Sequence, residues 1–240
     1  MAIVHYLAMT EAEMAAASSL PANAAWMACH FSPYSTGLCS LPQQLPPDSL
    51  LILNDRTPIH GHDPSRIARE LNDTIERFQC PGLLLDFQNP GCTETKELTR
   101  HLTETIRCPI GISPQYHTGN TALFLPAPTT HKPLSQYLAP WKGQTIWLET
   151  ALSGQTITLT QERAQIVENA SDSPLPHHTD AKLHCHYHIQ IEESRLTFQL
   201  WRTREDLQAL LDEAENLGVK LAVGLYQELG ESAIDAPNNL

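Results

Sequence analysis

Apolar residues along this chain fall into short continuous runs. Between the runs lie stretches in which apolar residues recur every three or four positions. Runs at Ile3 to Ala8, Ala25 to His30, Leu50 to Asn54, Leu83 to Phe87, Ile110 to Ser113, Ala122 to Leu125, Thr145 to Glu149 and Leu221 to Leu225 predict strands. Continuous apolar runs of this kind belong to parallel strands buried on both faces. The intervening stretches predict helices. Thr10 starts one, with Glu13 placed for a capping box and Met14, Ala17 and Leu20 on one side. Asp63-Pro64 starts the next, an N-cap followed by proline, with Ile67, Leu71, Ile75 and Phe78 on its apolar face. Leu98, Leu102 and Ile106 mark a third, and Leu134, Leu138 and Trp141 a short fourth. Thr203 and Asp206 begin the last helix. Leu207, Leu210, Leu211, Ala214 and Leu217 form its buried side, and Gly218 fits its C-terminal cap.

The rhythm breaks only between the last two runs. Thr156 to Thr160 alternates with period two. Leu183 to Glu192 and Leu196 to Trp201 predict a hairpin around Ser194-Arg195, preceded by SDSPLPHHTD, which reads as a polar loop. Strands alternating with helices argue a parallel sheet with right-handed crossovers. Eight such units in 240 residues predict a single (β/α)8 TIM barrel over 1–240, with a small α+β insertion at about 151–202 between strands seven and eight. No G-x-G-x-x-G follows the first strand, which argues against an open dinucleotide-binding sheet.

Composition agrees with a globular domain. At 26.7 kDa, with 41% hydrophobic and 18% charged residues, the chain can bury about 70% of its unfolded surface without a staple. A net charge of -12 disfavours nucleic acid and anionic membrane as partners. No run approaches 18 apolar residues, so no membrane span is expected. The six cysteines form no C-x-x-C pair, and MAIVHYLAMTEAEM lacks a basic leader region. Reduced thiols and a cytoplasmic location are therefore expected.

In such a barrel, function sits where the strands end at their C-terminal side. The polar residues there are His30 and Ser32; Asn54, Asp55 and Arg56; Asp86, Gln88 and Asn89; Gln115, Tyr116 and His117; Glu149; and Tyr226, Gln227 and Glu228. Polar and aromatic groups converging on one mouth suit a sugar. Any barrel rim is also polar because it meets water. Cys29 next to His30 is a poor nucleophile and base, since neighbours in a strand point to opposite faces. His184, His186 and His188 alternate, as a metal-binding strand face would, although a solvated face explains them as simply. His60-Gly61-His62-Asp63 is a similar pair in a polar loop. No cofactor is implied, and no metal site is assigned.

The segment Cys80-Pro81-Gly82-Leu83-Leu84-Leu85-Asp86-Phe87-Gln88 resembles the D-G-x-D-x-D-x-E signature of glycoside hydrolase family 18, the chitinase-like barrels. Gly82 and Asp86 are kept, Phe87 fits the aromatic position, Pro81 and Leu84 stand at the first two acids, and Gln88 stands where that family has its catalytic Glu. The exit of the last strand, Val223 to Gly230, is similar to the family's G-x-x-x-W-x-L-G, with Gln227 in place of the Trp. Phe198 to Leu211 resembles a stretch of the family's spore-associated branch. Leu53-Asn54-Asp55-Arg56 replaces the S-x-G-G of strand three. Leu123-Phe124-Leu125-Pro126 replaces the M-x-Y-D of strand six. The resemblance implies the barrel, an inserted piece before the last strand, and an N-acetylglucosamine-type oligosaccharide as ligand. It places Asp86 and Gln88 at the catalytic positions and Gln227 at the floor of the sugar site; His30, Asn54, Asn89, Tyr116 and Tyr226 are candidate sugar contacts from their places at the strand ends.

A glutamine has no acidic proton to give. Losing a general acid costs about 10²–10⁴-fold in rate. The expectation is a divergent chitinase-like barrel, impaired in catalysis and at most carbohydrate-binding. Two alternatives stand beside it: a glycosidase that uses Glu149 or Glu228 as a relocated acid, and a non-catalytic scaffold for a protein partner. Nothing in the sequence sets the oligomeric state.

Overall fold

The computed structural model describes residues 2–59, 61–89, 93–152, 154–161, 163–169 and 177–230. In chain order the first half contains β1 (Val4–Met9), α1 (Glu11–Ala16), β2 (Ala24–Phe31), β3 (Leu38–Cys39), β4 (Leu50–Asn54), α2 (Pro64–Phe78), β5 (Leu83–Asp86) and α3 (Thr93–Thr105). Then follow β6 (Ile110–Ile112), β7 (Ala122–Leu125), α4 (Leu134–Leu138), β8 (Ile146–Thr150), β9 (Gly154–Thr160), β10 (Ala164–Asn169), β11 (His178–Asp180), β12 (Cys185–Glu192) and β13 (Arg195–Trp201). The chain closes with α5 (Arg204–Asn216), β14 (Leu221–Leu225) and α6 (Tyr226–Leu229).

Eight parallel strands run β1-β2-β4-β5-β6-β7-β8-β14. Because β1 pairs with both β2 and β14, the sheet closes on itself. This is the (β/α)8 barrel expected from the eight runs. Helix starts follow the caps read from the sequence. Thr10 and Glu13 form a reciprocal capping box at α1, and Thr203 and Asp206 form one at α5. The Asp63 carboxylate accepts from Ser65 N at 3.0 Å, with Pro64 in the first turn of α2. Gly218, at φ 89°, ends α5 in the left-handed region that glycine enters without strain.

Alternate residues of each strand serve two cores. Leu51, Leu53, Leu83, Leu85 and Ile112 face outward and bury against α2 and α3. Tyr6, Ala25, Ile52, Leu84, Trp147 and Val223 fill the barrel interior. Trp147 decides how that interior is shaped. A Cβ on Gly111 would run into the indole, and one on Gly82 would come within 2.8 Å of it. The two glycines on neighbouring ground are therefore the space the Trp147 ring occupies.

The inserted piece contains a five-stranded antiparallel sheet, ordered β10-β9-β13-β12-β11. The predicted hairpin is β12–β13, and its turn lies at Glu193-Ser194, one residue earlier than expected. The end of the predicted polar loop, His178–Asp180, pairs with β12 as an edge strand. Three polar residues carry no periodicity, so this strand had no sequence signal. The rest of that loop lies outside the described residues. Asp180 Oδ1 accepts from Lys182 N and Leu183 N at 2.9 and 3.2 Å, turning the chain, and β12 begins only at Cys185. Among the described residues no helix is long and apolar enough to cross a membrane. Cys29, Cys39, Cys80, Cys108 and Cys185 are free thiols, and Cys92 lies outside the described residues.

Candidate functional site

The strand ends bring several of the singled-out residues to one rung. His30 is opposite Asn54, and Asn54 is opposite Asp86. Asn54 follows Ile52 and Asp86 follows Leu84 by two positions, so both share the inward parity of interior residues. They line a cleft of about 620 Å3 at the C-terminal mouth, together with Arg56, Gln88 and Asn89. Met27, Ser40 and the start of α1 (Thr10 to Ala12) complete its wall.

Asp55 holds this rim. Only 4% exposed, it accepts from Gln88 N at 3.0 Å on one oxygen and from Asn89 N at 2.9 Å on the other. The Asn89 side chain returns a bond to Asp55 O at 2.9 Å. The loops after β4 and β5 are thereby locked together. The Gln88 side chain reaches the cleft, and its amide donates to Asp86 Oδ1. Burial raises the Asp86 pKa most, the Gln88 bond pulls it back, and the charge of Asp55 raises it further. The pair is a half-buried carboxylate held by an amide, with no ionisable group at Gln88.

On the other side of the mouth, Glu149 projects from β8 with the parity of Trp147. Its Oε2 accepts from Ala127 N at 3.3 Å. Burial raises its pKa, the bond from Ala127 lowers it, and repulsion from Asp86 and Glu228 raises it again. Tyr137, half-buried beside it, is pushed up to about 12 by desolvation and by the Glu149 charge. Glu228, on α6, accepts from Leu152 N at 2.5 Å, which ties the last barrel turn to the entry of the inserted piece.

Of the remaining residues, His30 is buried at the end of β2. It bonds Ala28 O at 2.8 Å through Nδ1, and the Arg56 guanidinium lies 3.1 and 3.2 Å from its two ring nitrogens. Asn54 donates to Met27 O at 2.9 Å. Tyr116 belongs to the outer core: its ring stands edge-on to Phe87 and its hydroxyl donates to Asn89 O at 3.0 Å, beneath the rim. Gln115 donates to Phe87 O at 3.3 Å. Tyr226 packs on both outer cores and Gln227 is exposed, next to Glu228 on α6. Cys29 points into the outer core, and burial raises its pKa, whereas His30 has the opposite strand parity and is not among the residues lining the cleft.

Two of the three alternating histidines meet α5, and His184, which precedes β12 and lies at φ 46°, is not part of the strand face that His186 and His188 share. His184 Nε2 meets Glu213 Oε2 at 2.5 Å, and His186 Nδ1 meets Asp206 Oδ2 at 2.7 Å. His186 also stacks on Trp201. No group of three or more His, Cys, Asp or Glu among the described residues is arranged to hold a metal ion. His60 lies outside those residues, and His62 bonds Ser32 O at 3.1 Å.

Three features of the site were missed in the sequence. These are the clamp role of Asp55, the α1 start as a wall, and Met27 and Ser40. The Thr10/Glu13 box marked the helix start but not that the helix would stand over the mouth.

No family model matches the sequence, and no curated protein sequence is similar to it. Similarity appears in solved structures. The Bacillus cereus spore cortex-lytic enzyme SleL superimposes with a TM-score of 0.59 at 10% identity, over 93% of this chain and 70% of that one. A family GH18 chitinase from Cycas revoluta, with a glycine changed to tryptophan and a glutamate to glutamine, is held in complex with (GlcNAc)4. It matches with a TM-score of 0.55 at 10% identity, over 92% of this chain and 94% of that one. A chitinase-like agglutinin from Robinia pseudoacacia matches with a TM-score of 0.55 at 9% identity, over 91% and 93%. The chain is thus a closed (β/α)8 barrel with its candidate site at the C-terminal mouth. Within that class, its fold is the one shared by the family 18 chitinases, SleL and the chitinase-like agglutinin.

Proposed function

We propose that the mouth of the barrel is a carbohydrate-binding cleft for an N-acetylglucosamine-type oligosaccharide, and that hydrolysis there is impaired. The observation that carries this reading is the Asp86–Gln88 pair, an amide bonded to a carboxylate in an open cleft of about 620 Å3. Amides and carboxylates arranged this way give and accept hydrogen bonds to sugar hydroxyl and acetamido groups. They give no proton to a leaving oxygen, and that loss costs about 10²–10⁴-fold. A chitinase of this fold carrying a glutamine in place of a glutamate is found with (GlcNAc)4 bound, so the fold tolerates such an exchange while holding a sugar chain.

A second reading rests on Glu149. Burial and the neighbouring Asp86 and Glu228 charges bias this carboxyl toward its protonated form, as an acid catalyst requires. It faces the same mouth from β8.

Calorimetry with N-acetylglucosamine oligomers, and turnover of an aryl chitobioside, separate these readings. The expected result is measurable oligomer binding, abolished by Asp86→Ala, with turnover at background. Turnover that persists in Gln88→Ala and disappears in Glu149→Gln would replace the first reading by the second. Absence of both binding and turnover would leave the barrel as a protein scaffold.

A further inference from the structure

The inserted sheet has two unlike faces. Its register aligns Ile166, Ile157, Phe198 and Ile189 across four strands. The next row outward is Ala164, Leu159, Leu196 and Ile191. Because side chains alternate along a strand, both rows lie on one face. The opposite face carries Thr156, Thr158, Thr197, Gln199 and Gln190, with Val167, 47% exposed, at its edge strand.

Near the barrel the apolar face is covered. Gln155, Leu200 and Cys185 are buried there; the Gln155 side-chain oxygen accepts from Thr130 Oγ1 at 3.2 Å and bonds the His131 ring at 2.8 Å. Beyond that row the cover thins, and Ile157, Leu196 and Phe198 are half-buried. Leu159 is 37% exposed, Ile189 39%, Ile166 52% and Ile191 80%. The two rows together leave roughly 500 Å2 of apolar side chain in water, near the top of the range for the largest patch on a monomer.

We infer that this face is the docking surface for a second copy of the chain, packed sheet on sheet across a twofold axis. The area fits a weak dimer: a patch of this size against its own copy removes roughly 1,000 Å2 from water, the least a biological interface needs. The shape fits, since two sheets each apolar on one face stack about 10 Å apart with their inner side chains interdigitated. The chemistry points to self-association. None of the eight residues is charged, so the face carries no electrostatic code to select a foreign protein. The hairpin tip beside it bears Glu192 and Glu193, on a chain of net charge -12, which opposes an anionic membrane. A twofold contact needs only that one patch complement itself.

Sedimentation of the full chain at about 50 μM tests this. The expected species is a dimer of twice 26.7 kDa. The double variant Ile166→Asp, Ile191→Asp should sediment as a monomer, its dissociation constant raised at least 100-fold. Both side chains are largely exposed, so a circular dichroism melt should show the fold retained. The milder Ile191→Ser should weaken the dimer about tenfold. Thr158→Asp, on the polar face, should leave it intact. A wild-type monomer at 50 μM, a dimer that survives both aspartates, or equal dissociation by Thr158→Asp would each overturn the inference.

Discussion

The barrel and the inserted sheet solve the same problem, pairing strands and burying their side chains, in opposite ways. Leu51-Ile52-Leu53 in β4 and Leu83-Leu84-Leu85 in β5 are buried at every position, because one parity meets the helices and the other meets the barrel interior. The strands of the inserted sheet alternate, and beyond the row that touches the barrel their apolar residues are half-buried or exposed. A polar residue therefore means different things in the two regions. In a barrel strand with two dry faces, Asn54, Asp86 and Glu149 occur only where the strand runs out into the mouth. In the sheet, polar residues make up about half of β9, β10, β12 and β13 and all of β11, and each one says little. The histidines show this: His184 and His186, conspicuous in sequence, are taken up by ordinary bonds to Glu213 and Asp206 of α5.

The contrast breaks most sharply at Trp147. Trp147→Ala should empty the barrel interior beside Gly82 and Gly111, which have no side chains to collapse into the space. The expected cost is about 3–5 kcal/mol in urea unfolding. Ile191→Ala, at an 80% exposed position of the sheet, should change the monomer's stability by no more than about 0.5 kcal/mol. Comparable losses would show that the sheet and the barrel are one energetic unit.

The barrel seam should also impose a pH dependence. His5, in β1, bonds Thr150 Oγ1 of β8 at 2.8 Å, and burial lowers its pKa to about 4. The unfolded chain takes a proton on this residue at about pH 6.5, so between there and pH 4 the unfolded state binds more protons than the folded one. Stability from His5 is present above pH 6.5 and lost as pH falls toward 4, by about 3 kcal/mol in all. Unfolding midpoints across this range should fall in the wild type. In His5→Gln that part of the fall should disappear, and an unchanged slope would remove His5 as its source.

The junction of the two regions gives a smaller and more local effect than Trp147 or His5. Arg202 is buried and donates to Pro128 O at 2.5 Å, Thr129 O at 3.1 Å and His184 O at 3.1 Å, gathering the loop after β7 and the start of β12. Arg202→Met should cost about 2 kcal/mol. Hydrogen exchange should quicken in β9, β12 and β13 while β4 and β5 keep their protection. Equal loss of protection in β4 would mean that Arg202 supports the barrel as a whole.

Most of the fold could be read because its signals are local. The caps at Thr10, Asp63 and Thr203, the helical spacing of Ile67, Leu71 and Ile75, and the unbroken strand runs each lie within about fifteen residues. The β11 edge strand was read as part of a loop, because three solvent-facing residues with one pairing partner leave no pattern. The site was legible in part. The parity of Asp86 follows from β5, which it ends, whereas Gln88 lies past that end and is held beside Asp86 by its own side-chain bond. Tyr116 was placed around the sugar, and its ring lies under the rim against Phe87, since a residue just past a strand end has no parity to follow.

What the sequence by itself determined is therefore the order and kind of the elements, the two-sided burial of the barrel strands, and the absence of an ionisable group at Gln88. These depend on chain neighbours and on side-chain chemistry, both of which a linear pattern records. Only the tertiary structure decided that Asp55 would clamp Gln88 and Asn89, that Glu149 would feel the charges of Asp86 and Glu228, and that Trp147 would fill the space over Gly111. Those relations join residues more than thirty positions apart. They arise because closing an eight-stranded sheet brings strands that are distant in the chain to face one another across a single interior.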